Sequence, residues 1–487
     1  MTEASTDAGG AEQESTERIR GNMGPFEIAF FTVAAAGPLL VVAGFLPIAF
    51  MIGGTGAVGA QLVAGLVLLL FAVGLTRMAL RIPNAGAFYP YIGRGLGKPV
   101  GGGAAFMALM AYAVITIGQF GAVGAFAVGP IKSLLGLDVP WWILSLVAIA
   151  IVGYLGHRQI SLSAKVLGAA LLTETGVLLM LAIPVLIQGG AEGYDFTGFQ
   201  PSSIFAGAGA GAMFAIVFGA FIGFESTAIY SEEARDPAKT LPRAVYLAVG
   251  FLTVFYTFMA WVIVIAFGKS NITDAAIADP VGLVFAAMET YVGHSAVVVM
   301  EVLLVTSAFA SVLAFHNTAS RYMFALGRER MLPSVLAKPH HRHTSPYIAS
   351  WVMTIVSLVL IVLFALLQAD PYLQVFLLGV APGVIAIIVL QSLCAVAIVV
   401  YFNHHDRRHG LSKWSTLVAP LVSAIALAIA AWLIITNFEY FTGQTGAINY
   451  VLLSILPIVF AIGVVRTLYI KKTDPAQYEL LTETKIY

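Results

Sequence analysis

Apolar runs long enough to cross a lipid bilayer recur along almost the whole of this chain, and that repetition restricts its fold more than any other feature. Hydrocarbon holds no water to pair with exposed N–H and C=O groups. A spanning segment must therefore close its own hydrogen bonds, as a helix or as part of a sealed barrel. Runs of about 20 residues have the length of a spanning helix. They fall near 26–52, 56–80, 100–128, 140–156, 162–188, 203–230, 243–268, 294–326, 347–368, 372–401, 415–436 and 448–470. This pattern predicts an all-α membrane protein with twelve transmembrane helices. Charged residues make up 10% of the chain, against about 25% in soluble domains, so no large soluble domain fits beside the spans.

The basic residues orient these helices. With the N-terminus on the cytoplasmic side, every Lys and Arg except Lys132 and Lys269 falls in an inner loop or at an inner helix end. That bias predicts a multi-pass protein of the cell membrane, surrounded by lipid, with both termini cytoplasmic. Residues 1–24 are polar and acidic and lack the charged-then-apolar order of a cleaved signal. They are expected to form a disordered cytoplasmic tail, and 471–487 a second cytoplasmic tail. The single cysteine, Cys394, lies inside an apolar run and excludes an intrachain disulfide.

Two spans are interrupted, five helices apart. Ala36-Gly37-Pro38-Leu39-Leu40-Val41-Val42-Ala43-Gly44 interrupts the first, and Phe218-Gly219-Ala220-Phe221-Ile222-Gly223 interrupts the sixth. Glycine and proline are common in membrane helices. Breaks at corresponding positions of two halves, however, are the sequence pointer to an inverted-repeat transporter with its site near the midplane. The expected transporter domain covers 25–470, with repeat one over 25–190, repeat two over 200–402, and two further helices over 414–470. Candidate substrate contacts at the breaks are Ala36, Gly37, Val41, Gly44, Phe218, Gly219, Phe221 and Gly223. Tyr112 and Gln119 share a face of the third span with Thr116, at i, i+4, i+7 spacing. That face serves either the substrate or helix packing.

A carboxylate in mid-bilayer costs about 2.5–3.5 kcal/mol on insertion scales, which makes Glu174 and Glu225 candidates for ion coupling. Neither has an obvious Lys or Arg partner within the spans, and the proton is the expected coupling ion. Glu174 can instead bind sodium, contact an amine, or act as a hydrogen-bonded structural group. Glu225 can instead pair with backbone amides at a helix end. Glu301 falls near the outer end of the eighth span, in a structural role. Thr306, Ser307 and Ser311 offer hydroxyls at helical spacing, either to an ion or to ordinary packing. His340, His341, His343, His404, His405 and His409 sit in basic loops without a cysteine partner, which predicts solvated loops and no metal site. No cofactor and no nucleic acid are expected. Hydrolase and protease motifs such as HExxH or GxSxG are absent from the sequence, so an enzyme is not expected. A channel would carry a repeated pore signature, and a sensor a soluble output domain.

Three separated motifs resemble the amino acid–polyamine–organocation transporters. They are PNAGAFYPYIGRGLG at 83–97, FIGFES with EEARDPAKTLPRA at 221–226 and 232–244, and HNTASRYMFALGRERMLP at 316–333. Their order, spacing and topological side agree, and the resemblance covers roughly 25–470. It implies a five-plus-five inverted repeat with broken helices 1 and 6, and a central site between helices 1, 3, 6, 8 and 10. It also implies alternating access, by rocking helices 1, 2, 6 and 7 against the rest. The implied activity is secondary active transport of an amino acid or related amine, coupled to protons, with antiport and sodium symport as alternatives. The sequence departs from the family pattern at two places. Where the family places small residues that hold a substrate carboxylate, this chain has Leu40-Val41-Val42-Ala43-Gly44, and its branched side chains predict a poor nest. Gly219 stands where the family often places an aromatic gate, which leaves that role to Phe218 or Phe221. By offset from Lys165, Glu174 stands where some proton-coupled relatives carry a lysine.

Overall fold

The computed structural model describes residues 24–82, 88–158, 164–207, 209–225, 235–340, 345–403 and 410–481. Outside them lie residues 1–23, residues 83–87 of the first motif, and Ser226, Glu232, Glu233 and Ala234 of the second. His341, His343, His404, His405 and His409 also lie outside.

The described residues form helices and turns, with no strand. Among the described residues, ten helices are long and apolar enough to cross a membrane. They are Pro25–Gly53, Gly56–Arg81, Lys98–Leu135, Gly168–Gln188, Ala238–Phe267, His294–Arg328, Tyr347–Leu366, Pro371–Asn403, Trp414–Thr436 and Ala447–Thr473. Two shorter apolar helices, Trp141–His157 and Ala210–Gly219, fall at the expected fourth and sixth spans. The sixth is short because its helix ends at Gly219, inside the glycine-rich break.

Hydropathy missed the elements too short to span. The segment after the second span contains a helix, Phe88–Leu96, that buries Phe88, Tyr89, Tyr91 and Ile92. Short helices Ile272–Ala278 and Leu283–Tyr291 follow the seventh span. Beyond the last span, Asp474 caps Pro475–Leu480, and Lys98 Nζ donates to the Tyr478 and Glu479 carbonyls at 3.0 and 2.8 Å. On the connection after the fifth span, bonds from Ser270 hold the Glu192 carboxyl below the usual carboxylate range. Burial pushes Asp195 up, but bonds from Thr197 and Lys269 outweigh it and hold that carboxyl low as well.

The Lys98–Leu135 helix is the hub of the packing. It touches His294–Arg328, Pro371–Asn403, Trp141–His157 and Ala447–Thr473. Close approach depends on small residues, the usual device between membrane helices. A Cβ on Gly379 would lie 2.8 Å from the Gly118 Cα, so either side chain would force the third and tenth spans apart beside the site.

Candidate functional site

The first span leaves helical geometry at Gly37, whose φ of 61° and ψ of 74° are left-handed. That conformation costs an L side chain about 1–2 kcal/mol. Pro38 then restarts the helix as its first residue, where a missing N–H does no harm. Further on, Pro47 lacks the N–H that would pair with the Ala43 carbonyl in an α-helix. The preceding turn widens to a π-turn over Val41–Phe45, and the Leu46 N–H reaches the Val41 carbonyl. The interruption is therefore one left-handed residue and one wide turn, with Leu40 helical between them.

The second break follows Gly219. Phe221 N–H donates to the Phe218 carbonyl and Ile222 N–H to the Gly219 carbonyl, both at 3.1 Å, and Gly223 takes φ 114°. The two breaks meet around a cavity of about 20 Å³, room for about one water molecule. Its walls are Ala36, Leu40, Val41 and Phe45 from the first break and Gly219, Ala220 and Ile222 from the second. Ile115 and Gln119, Ser311 and Phe315, and Val380 complete it from three further helices.

Of the candidate contacts, Ala36, Val41, Gln119 and Gly219 line this cavity. The others sit beside it. A Cβ on Gly37 would point at Ser307 Oγ, 3.2 Å away, and one on Gly223 would lie 3.9 Å from the Ala36 nitrogen. Gly44 offers its carbonyl to the Tyr372 hydroxyl at 2.7 Å. Phe218 packs on Phe214 at 6.3 Å and Phe221 on Tyr256 at 5.7 Å. The aromatic walls are instead Phe45 and Phe315, which sequence reasoning missed. Neither carries a signal of its own: Phe45 lies within an apolar run, and Phe315 stands just before the His316-Asn317 motif as one of several phenylalanines in its span. Tyr112 turns its hydroxyl away from the cavity lining and donates to Glu225 Oε1 at 2.9 Å.

The two intramembrane carboxylates each fasten a break. Glu225 is buried and also accepts from the Gly223 N–H, at 3.0 Å to Oε2. It thereby ties the third span to the turn after the sixth. Glu174 is buried and accepts from the Leu39 N–H at 3.2 Å. That amide is among the unpaired donors of the restarted half-helix, whose dipole favours a negative charge. Ser307 Oγ faces the same carboxylate but falls short of hydrogen-bond geometry. Ser311 lines the cavity one turn along. Thr306 does not join them: it is exposed and bonds the Leu303 carbonyl of its own helix. Glu301 lies beside Gly129 in the last turns of the Lys98–Leu135 helix, away from the cavity.

Comparison with known proteins places this geometry in a family. Residues 28–480 match the amino acid permease family. Over 370 residues the chain is 25% identical to the branched-chain amino acid permease BcaP of Bacillus subtilis, covering 70% of this chain and 74% of that protein. It is 26% identical over 333 residues to the Lactococcus lactis protein of the same name, covering 64% and 69%. It is 27% identical over 301 residues to the histidine permease HisP of Lactococcus lactis, covering 59% and 61%. With almost its entire length inside the family match, the chain belongs to the amino acid permeases and is a multi-pass membrane transporter of amino acids.

Proposed function

We propose that this permease carries an amino acid with an aliphatic side chain through the cavity between its two helix breaks, by alternating access coupled to protons. The observation that supports this most is the chemistry of the wall. It is apolar except for Gln119 and Ser311, and Gln119 Oε1 is buried without a hydrogen-bond partner among the described residues. Leaving a buried acceptor unpaired costs about 1–3 kcal/mol, which a substrate ammonium placed there would relieve. Two relatives named as branched-chain permeases fit the same apolar wall. The coupling groups are Glu174 and Glu225. Protonating either removes the charge that holds a backbone N–H at its break, so the proton and the helix geometry are linked.

In proteoliposomes, labelled leucine uptake should rise with an inward proton gradient and need no sodium. Isoleucine and valine should compete, whereas lysine and aspartate should not. Equal competition by all four would remove the aliphatic reading. The decarboxylated amine of leucine should compete within about tenfold, or 1.4 kcal/mol, because Glu174 already occupies the Leu39 amide. Competition by carboxylate-bearing compounds alone would contradict that account of the first break.

The architecture we propose is twelve spans in a five-plus-five inverted repeat with both termini cytoplasmic. Lys132→Cys and Lys269→Cys should be labelled by an impermeant thiol reagent in whole cells. Arg94→Cys and Arg330→Cys should be protected, and the reverse pattern would invert the topology.

A further inference from the structure

We propose that Tyr372 is the outer latch of this transporter, a positioning residue whose hydroxyl holds the π-turn of the first span against the tenth span and closes the cavity on that side. The proposal rests on the alternating-access reading above. Tyr372 lies in the first turn of Pro371–Asn403, and that turn is firmly built. Asp370 accepts from the Tyr372 and Leu373 N–H groups at 3.0 and 2.6 Å, while its own N–H donates to Gln374 Oε1 at 2.9 Å. This reciprocal cap fixes the start of the helix. It aims Tyr372 across the bundle, where the hydroxyl donates to the Gly44 carbonyl at 2.7 Å.

Gly44 belongs to the widened turn that Pro47 imposes, and π-turns of this kind mark functional sites. Around the bond lies a buried aromatic plug. Phe45, a cavity wall, meets Phe376 edge-on at 5.2 Å, Tyr372 stacks on Phe376 at 5.8 Å, and Phe126 meets Tyr372 at 5.8 Å. All four rings are buried. Among the described residues, the Tyr372–Gly44 bond is the one side-chain hydrogen bond within this plug. With the N-terminus inside, both the start of the tenth span and the second half of the first face outward. To admit substrate from outside, the plug must part. Parting it strips a buried carbonyl of its donor, so the latch biases the resting protein toward the closed state.

The test uses the full-length protein with Cys394→Ala and a reporter Ser311→Cys in the cavity wall. Tyr372→Phe keeps the ring and deletes only the hydroxyl. Labelling of the reporter from outside, by an impermeant thiol reagent without substrate, should speed up about fivefold, the scale of one hydrogen bond. Labelling from inside should slow only slightly, because the outward-open state is the minor population. Equal rates with and without the hydroxyl, in proteins that both label, would overturn the latch and leave alternating access standing. A reporter that labels from neither face would instead overturn the access reading, and the latch with it.

Discussion

Replacing Gly223 with leucine should abolish uptake while leaving membrane insertion and expression intact. Gly223 holds φ 114°, a region closed to L side chains without strain of about 1–3 kcal/mol. A Cβ there would point at the backbone of Ala36 across the gap between the two breaks. The rest of a leucine side chain would wedge the first and sixth spans apart, just where the cavity walls must close on substrate. The strain also disturbs the Gly223 N–H that holds Glu225. Uptake at least about tenfold below the parent is expected, with detergent-extracted protein still monodisperse. Transport at the parent rate would mean that substrate does not pass between the breaks.

Glu225→Gln should uncouple transport from pH. The carboxylate accepts from Tyr112 Oη on one oxygen and from the Gly223 N–H on the other. An amide offers a single acceptor oxygen, so with that oxygen on the Gly223 N–H its NH2 faces Tyr112, whose hydroxyl must turn to accept, and both contacts lose their charge. Bonds to a charged group contribute about 1.5–3 kcal/mol each, and 1.4 kcal/mol is a factor of ten. Concentrative uptake should fall at least about tenfold and its pH profile should flatten, while equilibrium binding of substrate survives. Glu174→Gln is the informative partner. It keeps an oxygen for the Leu39 N–H and so preserves the helix restart, whereas Glu174→Leu would strand that amide. If uptake requires sodium, and both glutamine variants retain the parental pH profile, these carboxylates do not carry the coupling proton.

Much of the molecule was readable from the chain because the bilayer imposes a rule on each segment separately. A run such as 347–368 must be a helix wherever it packs, and the structure has Tyr347–Leu366 there. The breaks were legible as well. Gly37-Pro38 and Gly219–Gly223 weaken a helix locally, and their corresponding positions five spans apart set them off from glycines and prolines that other spans carry without a break, while the motifs at 83–97, 221–226 with 232–244, and 316–333 pointed to the family. Elements below spanning length carry no such signal, which is why the Phe88–Leu96 helix and the docked Pro475–Leu480 helix escaped notice.

Partnership was decided only by the tertiary structure. Glu174 and Leu39 are 135 residues apart, Tyr112 and Glu225 are 113, and Tyr372 and Gly44 are 328. No local periodicity encodes such pairs, because each depends on how several helices cross. The sequence named Tyr112 as a substrate contact from its helix face, but the face alone does not say whether a hydroxyl points at a ligand or at a carboxylate on another span. Likewise it offered Phe218 or Phe221 for an aromatic gate, but only the tertiary structure shows that these rings pack on Phe214 and Tyr256 while Phe45 and Phe315 line the cavity. Hydrogen-bond satisfaction within each span is local and so written in sequence; the crossing of spans, which sets the long-range polar contacts at the site, is not.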